Sequence, residues 1–314
     1  LRGKILALAG ILMVAVSLLG FTSETGNAIL GTIREILLGP EPGETIRIAS
    51  WNIENFGRAK ATDGERMEII AEVLQGYDII AVQEISNLRE QSDPGCPRNE
   101  DACPGNPSCG LVRDALERHL NQSGLNYTLV FSPHVRDERY LFIYNPERVE
   151  LEEAVLMEDP GDSGPACLDS PETGLMVRQP FMARFRAGEF DFVLLNVHTS
   201  PGMNPMELEG LEYFCREAGE EEPDVIILGD LNADCGYLKP DDDIGLRNPE
   251  YIWPFGDDVD TTVSGTDCAY DRFIFRGPTS EDFTGRLGMV RGMPPDVSDH
   301  YLIWAEFYTE RDSA

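Results

Sequence analysis

The segment Gly229-Asp230-Leu231-Asn232-Ala233-Asp234-Cys235 follows directly on the apolar run Val225-Ile226-Ile227-Leu228. A short apolar run of this kind reads as a buried strand, and in extended chain residues i and i+2 point the same way. Asp230 and Asn232 are therefore expected to face one site. A carboxylate and a carboxamide oxygen at a strand end suit a hard divalent cation or the water it activates, as phosphoester chemistry requires. An Asx-rich turn that only ends a strand would leave the same trace. Two of the chain's 4 histidines lie in similar settings, His198 in Asn196-Val197-His198-Thr199-Ser200-Pro201 and His300 in Ser298-Asp299-His300. An imidazole that moves protons needs a carboxylate to hold its tautomer and support its charged form. Glu138, in Asp137-Glu138-Arg139-Tyr140-Leu141-Phe142, and Asp271, in Cys268-Ala269-Tyr270-Asp271-Arg272, are the candidate partners. His119, on a helix face, and His134, in a loop, read as structural.

The elements that must position these groups follow from hydrophobic periodicity. Strands are expected over 46–53, 78–84, 140–144, 148–156, 176–186, 190–197 and 301–307, besides the one ahead of Asp230. Helices are expected over 64–75, 110–120 and 205–218, and Asn145-Pro146 marks a turn. Asn52 follows the first strand, Glu84 ends the second, His198 and Asp230 end two more, and Asp299-His300 precedes the last. Ligand sites in layered α/β folds form where strand ends converge. So many polar strand ends exceed what capping needs. With no internal repeat and no second linker, one mixed α/β domain over 46–310 is the simplest organisation.

The chain has 314 residues, 42% of them hydrophobic, enough for a sizeable core. Its formal net charge is −31, and of 25 basic residues only Lys4, Lys60 and Lys239 are lysine. Such self-repulsion suits a salt-rich setting or an ordinary acidic exported protein. It excludes a broad basic track, so any nucleic-acid chemistry must use local arginine and bound metal. Residues 5–21 form an apolar run behind Arg2 and Lys4, with a small-x-small cleavage motif at Gly26-Asn27-Ala28. Residues 1–28 thus read as a signal peptide or an N-terminal membrane anchor, and 29–45, with Gly39-Pro40-Glu41-Pro42-Gly43, as a linker. Either reading exports the rest. The 7 cysteines fit that compartment, and the odd count leaves at least one thiol unpaired or intermolecular. Cys96, Cys103 and Cys109 crowd a Pro/Gly/Asn-rich loop without the spacing of a zinc site, which favours a disulfide-stapled loop, with Cys167 as a further partner. Asn121 and Asn126 head glycosylation sequons for a host that uses them.

Hydrolysis of a phosphodiester needs a deprotonated water, a protonated leaving oxygen and neutralised phosphoryl charge. The segments 49–57 (Ala-Ser-Trp-Asn-Ile-Glu-Asn-Phe-Gly), Val82-Gln83-Glu84, Glu138-Arg139-Tyr140-Leu141-Phe142, Arg178-Gln179-Pro180, His198, 229–235, 268–272 and Ser298-Asp299-His300 supply such groups in order. Together they resemble the endonuclease/exonuclease/phosphatase superfamily over nearly all of residues 46–308. The combination of 229–235 with 268–272 resembles its deoxyribonuclease I branch. That resemblance implies two packed mixed β-sheets flanked by helices, a four-layer sandwich. It implies His198 and His300 as general acid and base, supported by Glu138 and Asp271. It implies a divalent-metal site at Glu84 with Asn52 and Asp299, a phosphate pocket completed by Asp230 and Asn232, and phosphate contacts from Arg178 and Asn232. It further implies a disulfide between Cys235 and Cys268, Mg2+ or Mn2+ as working metal with Ca2+ as structural or activating ion, and DNA cut to 5′-phosphate ends.

The chain departs from the family after Glu84, where Ile85-Ser86-Asn87 replaces an arginine used in the DNA minor groove. Arg136 and Arg139 are the nearby substitutes, or else ion-paired surface residues. The loop over 88–109 is also longer than the family's. Two other readings stay open: the same chemistry on a lipid or inositol phosphodiester, and a non-enzymatic binding module. The latter predicts a missing catalytic residue, and none of His198, His300, Glu84 and Asp230 is missing.

Overall fold

In strand β1 (Thr45–Phe56), Ile46 and Ile48 enter one apolar cluster while Ala49, Trp51 and Ile53 enter another. The strand alternates apolar and polar residues, but its apolar positions change face between Ile48 and Ala49, because the inter-sheet row turns polar at the buried Ser50 and Asn52. The computed structural model describes residues 45–86, 107–160 and 174–312, apart from 123, 125, 137, 264 and 311. The expected leader, nearly all of the expected linker, Cys96, Cys103, Cys167 and the side chain of Cys109 lie outside the described residues.

The remaining strands are β2 (Ile79–Ser86), β3 (Thr128–Phe131), β4 (Glu138–Tyr144), β5 (Glu150–Leu156), β6 (Phe181–Ala187), β7 (Phe190–His198), β8 (Val225–Asp230), β9 (Tyr251–Ile252), β10 (Asp271–Arg276), β11 (Phe283–Val290) and β12 (Leu302–Tyr308). They build two 6-stranded sheets, ordered β11-β12-β1-β2-β4-β3 and β5-β6-β7-β8-β10-β9. Each sheet has a parallel pair at its centre, β1 with β2 and β7 with β8, and an antiparallel strand beside it, β4 or β10. The helices are α1 (Arg58–Ala61), α2 (Gly64–Leu74), α3 (Pro107–Gln122), α4 (Met206–Ala218) and α5 (Thr279–Asp282). Met67, Ile70 and Leu74 of α2 and Val112, Leu116 and Leu120 of α3 cover the outer face of the first sheet. Leu208, Leu211 and Phe214 of α4 cover the outer face of the second. Between the sheets lies a core rich in phenylalanine, including Phe142, Phe181, Phe185, Phe192 and Phe273. Each such ring contributes about 1.5–3 kcal/mol when withdrawn from water. The expected layers are therefore present.

One expected strand is shorter than its sequence pattern. Residues 176–180 are not part of β6, because Asp159 Oδ2 takes the Met176 N–H at 3.0 Å and Glu207 Oε1 takes the Val177 N–H at 2.7 Å. Those amides are lost to any ladder. The other expected strands and helices are present with ends moved by a few residues, and β3, β9, β10, β11, α1 and α5 were not anticipated.

The inter-sheet rows become polar at one pole. Along β1 the row runs Ile46, Ile48, Ser50, Asn52; along β7 it runs Phe190, Phe192, Leu194, Asn196, His198; along β8 it runs Ile226, Leu228, Asp230. Because β4 and β10 run the other way, they enter at that same pole with Glu138 and Asp271, and then continue as Tyr140, Phe142 and Phe273, Phe275. Just below the polar end, Gln83 Nε2 donates to Asn196 Oδ1 at 2.7 Å and to Ser50 Oγ at 3.2 Å, joining the two sheets.

Candidate active site

Each histidine is paired across the gap between the sheets. His198, on β7 of the second sheet, places Nδ1 3.0 Å from both carboxylate oxygens of Glu138 on β4 of the first. His300, just ahead of β12 in the first sheet, places Nδ1 2.7 Å from Asp271 Oδ2 on β10 of the second. A proton held at Nδ1 by a carboxylate leaves Nε2 for chemistry. Both Nε2 atoms face one acceptor, Asp230 Oδ2, at 3.6 Å from His198 and 3.5 Å from His300. All five groups are buried.

The electrostatics follow from this crowding. Burial opposes charge on His198, but Glu138 and Asp230 outweigh it and leave its pKa raised. Burial likewise opposes charge on His300, and Asp271 with Asp230 carries its pKa well above the ordinary value. For Asp230 burial pushes upward, yet the two imidazoles and the Asn232 amide hold its pKa below the usual range. Burial wins at Asp271, whose pKa is raised despite His300.

Local backbone aims the remaining groups. Gly229 has φ of +145°, and a Cβ there would meet the Val197 carbonyl oxygen at 1.8 Å, so only glycine lets β8 lie this close to β7. Glu84 sits at φ +59° beside register shifts in both neighbouring pairings of β2. A non-glycine residue in that region is strained, and the bulge turns its side chain toward the cleft. Glu84 Oε1 accepts from Asn52 Nδ2 at 2.9 Å and Oε2 from the Asn55 N–H at 2.8 Å. Asn52 Nδ2 also donates to Asp230 Oδ2 at 3.0 Å, while its Oδ1 accepts from the Glu54 N–H. Asn52 therefore bridges two carboxylates through its nitrogen, and its oxygen, the atom expected to meet a metal, is engaged by the backbone. Asp299 is exposed at the rim, with Oδ1 3.9 Å from His300 Nε2.

Asn232, at φ +46°, donates its amide N–H to Asp230 Oδ1 and its Nδ2 to Thr199 O. Arg178 lies behind the His198 pair, donating to His198 O at 3.2 Å and Ser200 Oγ at 3.1 Å, with Nε 3.5 Å from Glu138. Both residues expected at phosphate are thus also structural ties of the cleft. The substitutes for the missing groove arginine differ from expectation. Arg139 is buried and donates to Ser132 O, burial lowering its pKa to about 10, and Arg136 donates to Val177 O. Among the described residues neither arginine has an ion-pair partner. His119 Nδ1 pairs with Ala115 O one turn back in α3, a structural place as expected.

The disulfide Cys235–Cys268 is present, with Cα atoms 5.8 Å apart at a sequence separation of 33. It is reinforced by Ala269 N–H to Asp234 Oδ2 and Arg272 to Ala233 O. Cys215 is a free buried thiol in α4, its pKa pushed up to about 12 by burial.

Several supporting groups were not singled out from sequence. Tyr140 Oη accepts the His198 N–H, and Ser298 Oγ donates to Asn52 O while accepting the His300 N–H. Their signal was available, since Tyr140 shares a strand face with Glu138 and Ser298 belongs to the final motif. Glu207 and Lys60 gave no such signal. Glu207 is fully buried and accepts the Val177 and Ser200 N–H groups, holding the chain on either side of Arg178 and His198. Lys60 donates to Ile53 O at 3.3 Å and to Glu54 O, and burial lowers its pKa against the pull of Glu54, Asp299 and Glu84.

Asp230, Asp271 and His300 bring donor atoms within 4.8 Å of one another, a buried cluster able to hold a metal. Glu84 adds a partly exposed carboxylate on the open side, so the donor chemistry fits a hard divalent cation.

Comparison with known proteins agrees with this geometry. The model of the Endonuclease/Exonuclease/phosphatase family matches residues 49–300. Deoxyribonuclease gamma of Homo sapiens is 28% identical over 300 residues, covering 88% of this chain and 90% of its own. Deoxyribonuclease-1-like 2 of Mus musculus is 30% identical over 295 residues, covering 87% and 95%. The crystal structure of an endonuclease/exonuclease/phosphatase from Bacteroides vulgatus superposes with a TM-score of 0.55 at 15% identity, covering 83% of this chain and 98% of that one. The chain belongs to the endonuclease/exonuclease/phosphatase family, in its deoxyribonuclease I-like branch, and is a phosphodiester-hydrolysing enzyme of the nuclease type.

Proposed function

We propose that this enzyme is an exported, divalent-metal-dependent endonuclease that hydrolyses DNA with little sequence specificity and leaves 5′-phosphate ends. The observation that carries the reading is the convergence of two carboxylate-backed imidazole Nε2 atoms on a single buried oxygen of Asp230. Two such groups supply both halves of the proton transfer. One Nε2 withdraws a proton from the attacking water; the other delivers a proton to the departing 3′ oxygen, so that water is consumed and a 5′-phosphate and a 3′-hydroxyl result. Glu138 and Asp271 hold the tautomers and support the charged forms. Asp230 spaces the imidazoles, and Asn232 with Arg178 borders the phosphate. Mg2+ or Mn2+ would be held by Glu84 and Asp299, with Asn52 orienting Glu84, and Ca2+ is a further activating ion. Bound there, the cation would supply charge neutralisation at the phosphoryl oxygens and lower the pKa of the water.

DNA as substrate is supported by the relatives that bear the name deoxyribonuclease. Export is supported by the apolar run 5–21 behind two basic residues and by the Cys235–Cys268 bridge, which persists in an oxidising compartment. On this reading residues 1–28 are a leader or anchor, 29–45 a linker and 46–310 the enzyme. Among the described residues no helix is long and apolar enough to cross a membrane.

The test is nicking of supercoiled plasmid with Mg2+ and Ca2+, at low and molar salt, with and without EDTA. Metal-dependent nicking is expected. No nicking under any of these conditions, with hydrolysis of a lipid or inositol phosphodiester instead, would transfer the same chemistry to the other substrate class, which the −31 charge favours.

A further inference from the structure

At the other end of β8 from Asp230, a second group of carboxylates meets. Asp224, immediately before β8, Asp282, at the end of α5, and Asp312, beyond β12, bring oxygens within 4.8 Å of one another. Six residues of extended strand put this cluster about 20 Å from the catalytic oxygen. Asp224 and Asp282 are fully buried. Among the described residues neither carboxylate oxygen of Asp224 has a hydrogen-bond partner, and nor does Thr279 Oγ1, also fully buried. Thr279 Oγ1 is close enough to Asp224 to lower its carboxyl pKa against the effect of burial.

An ionised carboxylate in that state is costly unless a counter-charge meets it. The neighbouring charges that act most strongly on Asp224 are those of Asp282, Glu222 and Asp312, all negative, and burial with this repulsion pushes its carboxyl up to about 7. Glu222 is itself buried and feels Asp191 and Asp312. No imidazole or thiolate takes part, so an oxygen-only donor set selects a hard cation over zinc or copper. Mg2+ dehydrates reluctantly and keeps several of its waters, so a buried cage of protein oxygens suits Ca2+ better.

We propose that Asp224, Asp282 and Asp312, with Thr279 Oγ1, form a calcium-binding site remote from the catalytic cleft. Bound calcium ties the segment beyond β12 and helix α5 to the root of β8, the strand whose far end carries Asp230. Its role is structural: it replaces mutual repulsion of three carboxylates by shared coordination, and it leaves proton transfer at the cleft untouched.

The experiment uses the full chain, stripped with EDTA and titrated with CaCl2 by calorimetry, beside Asp224→Asn/Asp282→Asn and the exposed-site variant Asp312→Asn. The double variant is expected to bind one fewer Ca2+ per chain and to lose most of the calcium-induced rise in Tm. It should nick plasmid at the parent rate when Mg2+ is supplied. Asp312→Asn should keep the site with affinity lowered about tenfold, a single ligand charge being removed. In metal-free buffer the double variant should melt no lower than the parent, because repulsion has been removed. If it fails to fold, Asp312→Asn decides alone. Equal stoichiometry, equal affinities and an unchanged calcium-induced Tm shift in the variants that fold would overturn the site and leave a carboxyl cluster that shares protons.

Discussion

Replacing Asp271 by asparagine removes one charge and almost no volume from the His300 pair. Asp271 Oδ2 lies 2.7 Å from His300 Nδ1, and the residue is fully buried, so no solvent screens the loss. Opposite charges about 4 Å apart attract by ~4 kcal/mol at an effective dielectric of ~20. That is roughly three pKa units on the imidazole, which burial already pulls downward. With only Asp230 left close by, at 3.5 Å, and Asp299 at the rim, His300 should titrate near or below its ordinary value. The asparagine amide also presents N–H where Nδ1 needs an acceptor, favouring the wrong tautomer. The equivalent change in a serine-protease triad lowers kcat by ~10⁴. A loss of about 10³- to 10⁴-fold is therefore expected in initial rates of plasmid nicking under saturating Mg2+. The fold should survive, since Asp271 Oδ1 has no hydrogen-bond partner and a buried carboxylate of raised pKa is being removed. Near-UV circular dichroism and a thermal melt check that point. Activity within tenfold of the parent, with an unmoved His300 titration by NMR, would refute the reasoning.

Glu84→Gln should abolish most Mg2+ stimulation while leaving the His198 and His300 titrations of the metal-free protein nearly in place; a parental metal dependence of the rate would remove Glu84 from the metal site. Loss of the Cys235–Cys268 bridge, which spans 33 residues, should cost about 3–4 kcal/mol in the chain-entropy model. At about 2–4 °C per kcal/mol for a domain approaching this size, Tm should fall by ~10 °C in Cys235→Ser/Cys268→Ser, and a fall under ~3 °C would show that the surrounding hydrogen bonds suffice. The pH dependence of stability has a definite sign. His198 and His300 have folded pKa values above the unfolded value of ~6.5, so their contribution is fully present below ~6.5 and is lost as pH rises through the folded values. Melts of the metal-free protein above about pH 7 should show Tm falling with pH, less steeply in His300→Gln, and an equal slope in that variant would contradict it.

The chemistry was legible in the sequence because strand parity is strict. Asp230 continues the side of β8 that carries Ile226 and Leu228, and His198 and Asn52 do the same on β7 and β1, so each polar terminus is aimed by the apolar residues before it. What sequence alone left open was which termini meet. The pairings of His198 with Glu138 and of His300 with Asp271 each cross between sheets, over 60 and 29 residues of chain. They exist only because antiparallel β4 and β10 enter at the pole where the parallel pairs end. Side-chain capture of backbone amides, as by Glu207 and Asp159, also lay beyond local pattern, and it shortened β6 from its expected start.

The segment 229–235 shows the division most clearly. Its residue types pointed to Asp230 and Asn232 at one phosphoester site, and the apolar run before them to a buried strand; β8 ends at Asp230, so Asn232, at φ +46°, lies beyond the strand and is aimed by its turn rather than by i, i+2 alternation. Only the tertiary structure decided that Asp230 lies within 3.6 Å of both imidazoles, that Asn52 meets Glu84 and Asp230 through nitrogen rather than oxygen, and that the opposite end of the same strand carries an uncompensated carboxylate. The physical reason is that intrinsic pattern sets the direction of a side chain, whereas its partners, and hence its charge, depend on what other elements bring to the same low-dielectric space.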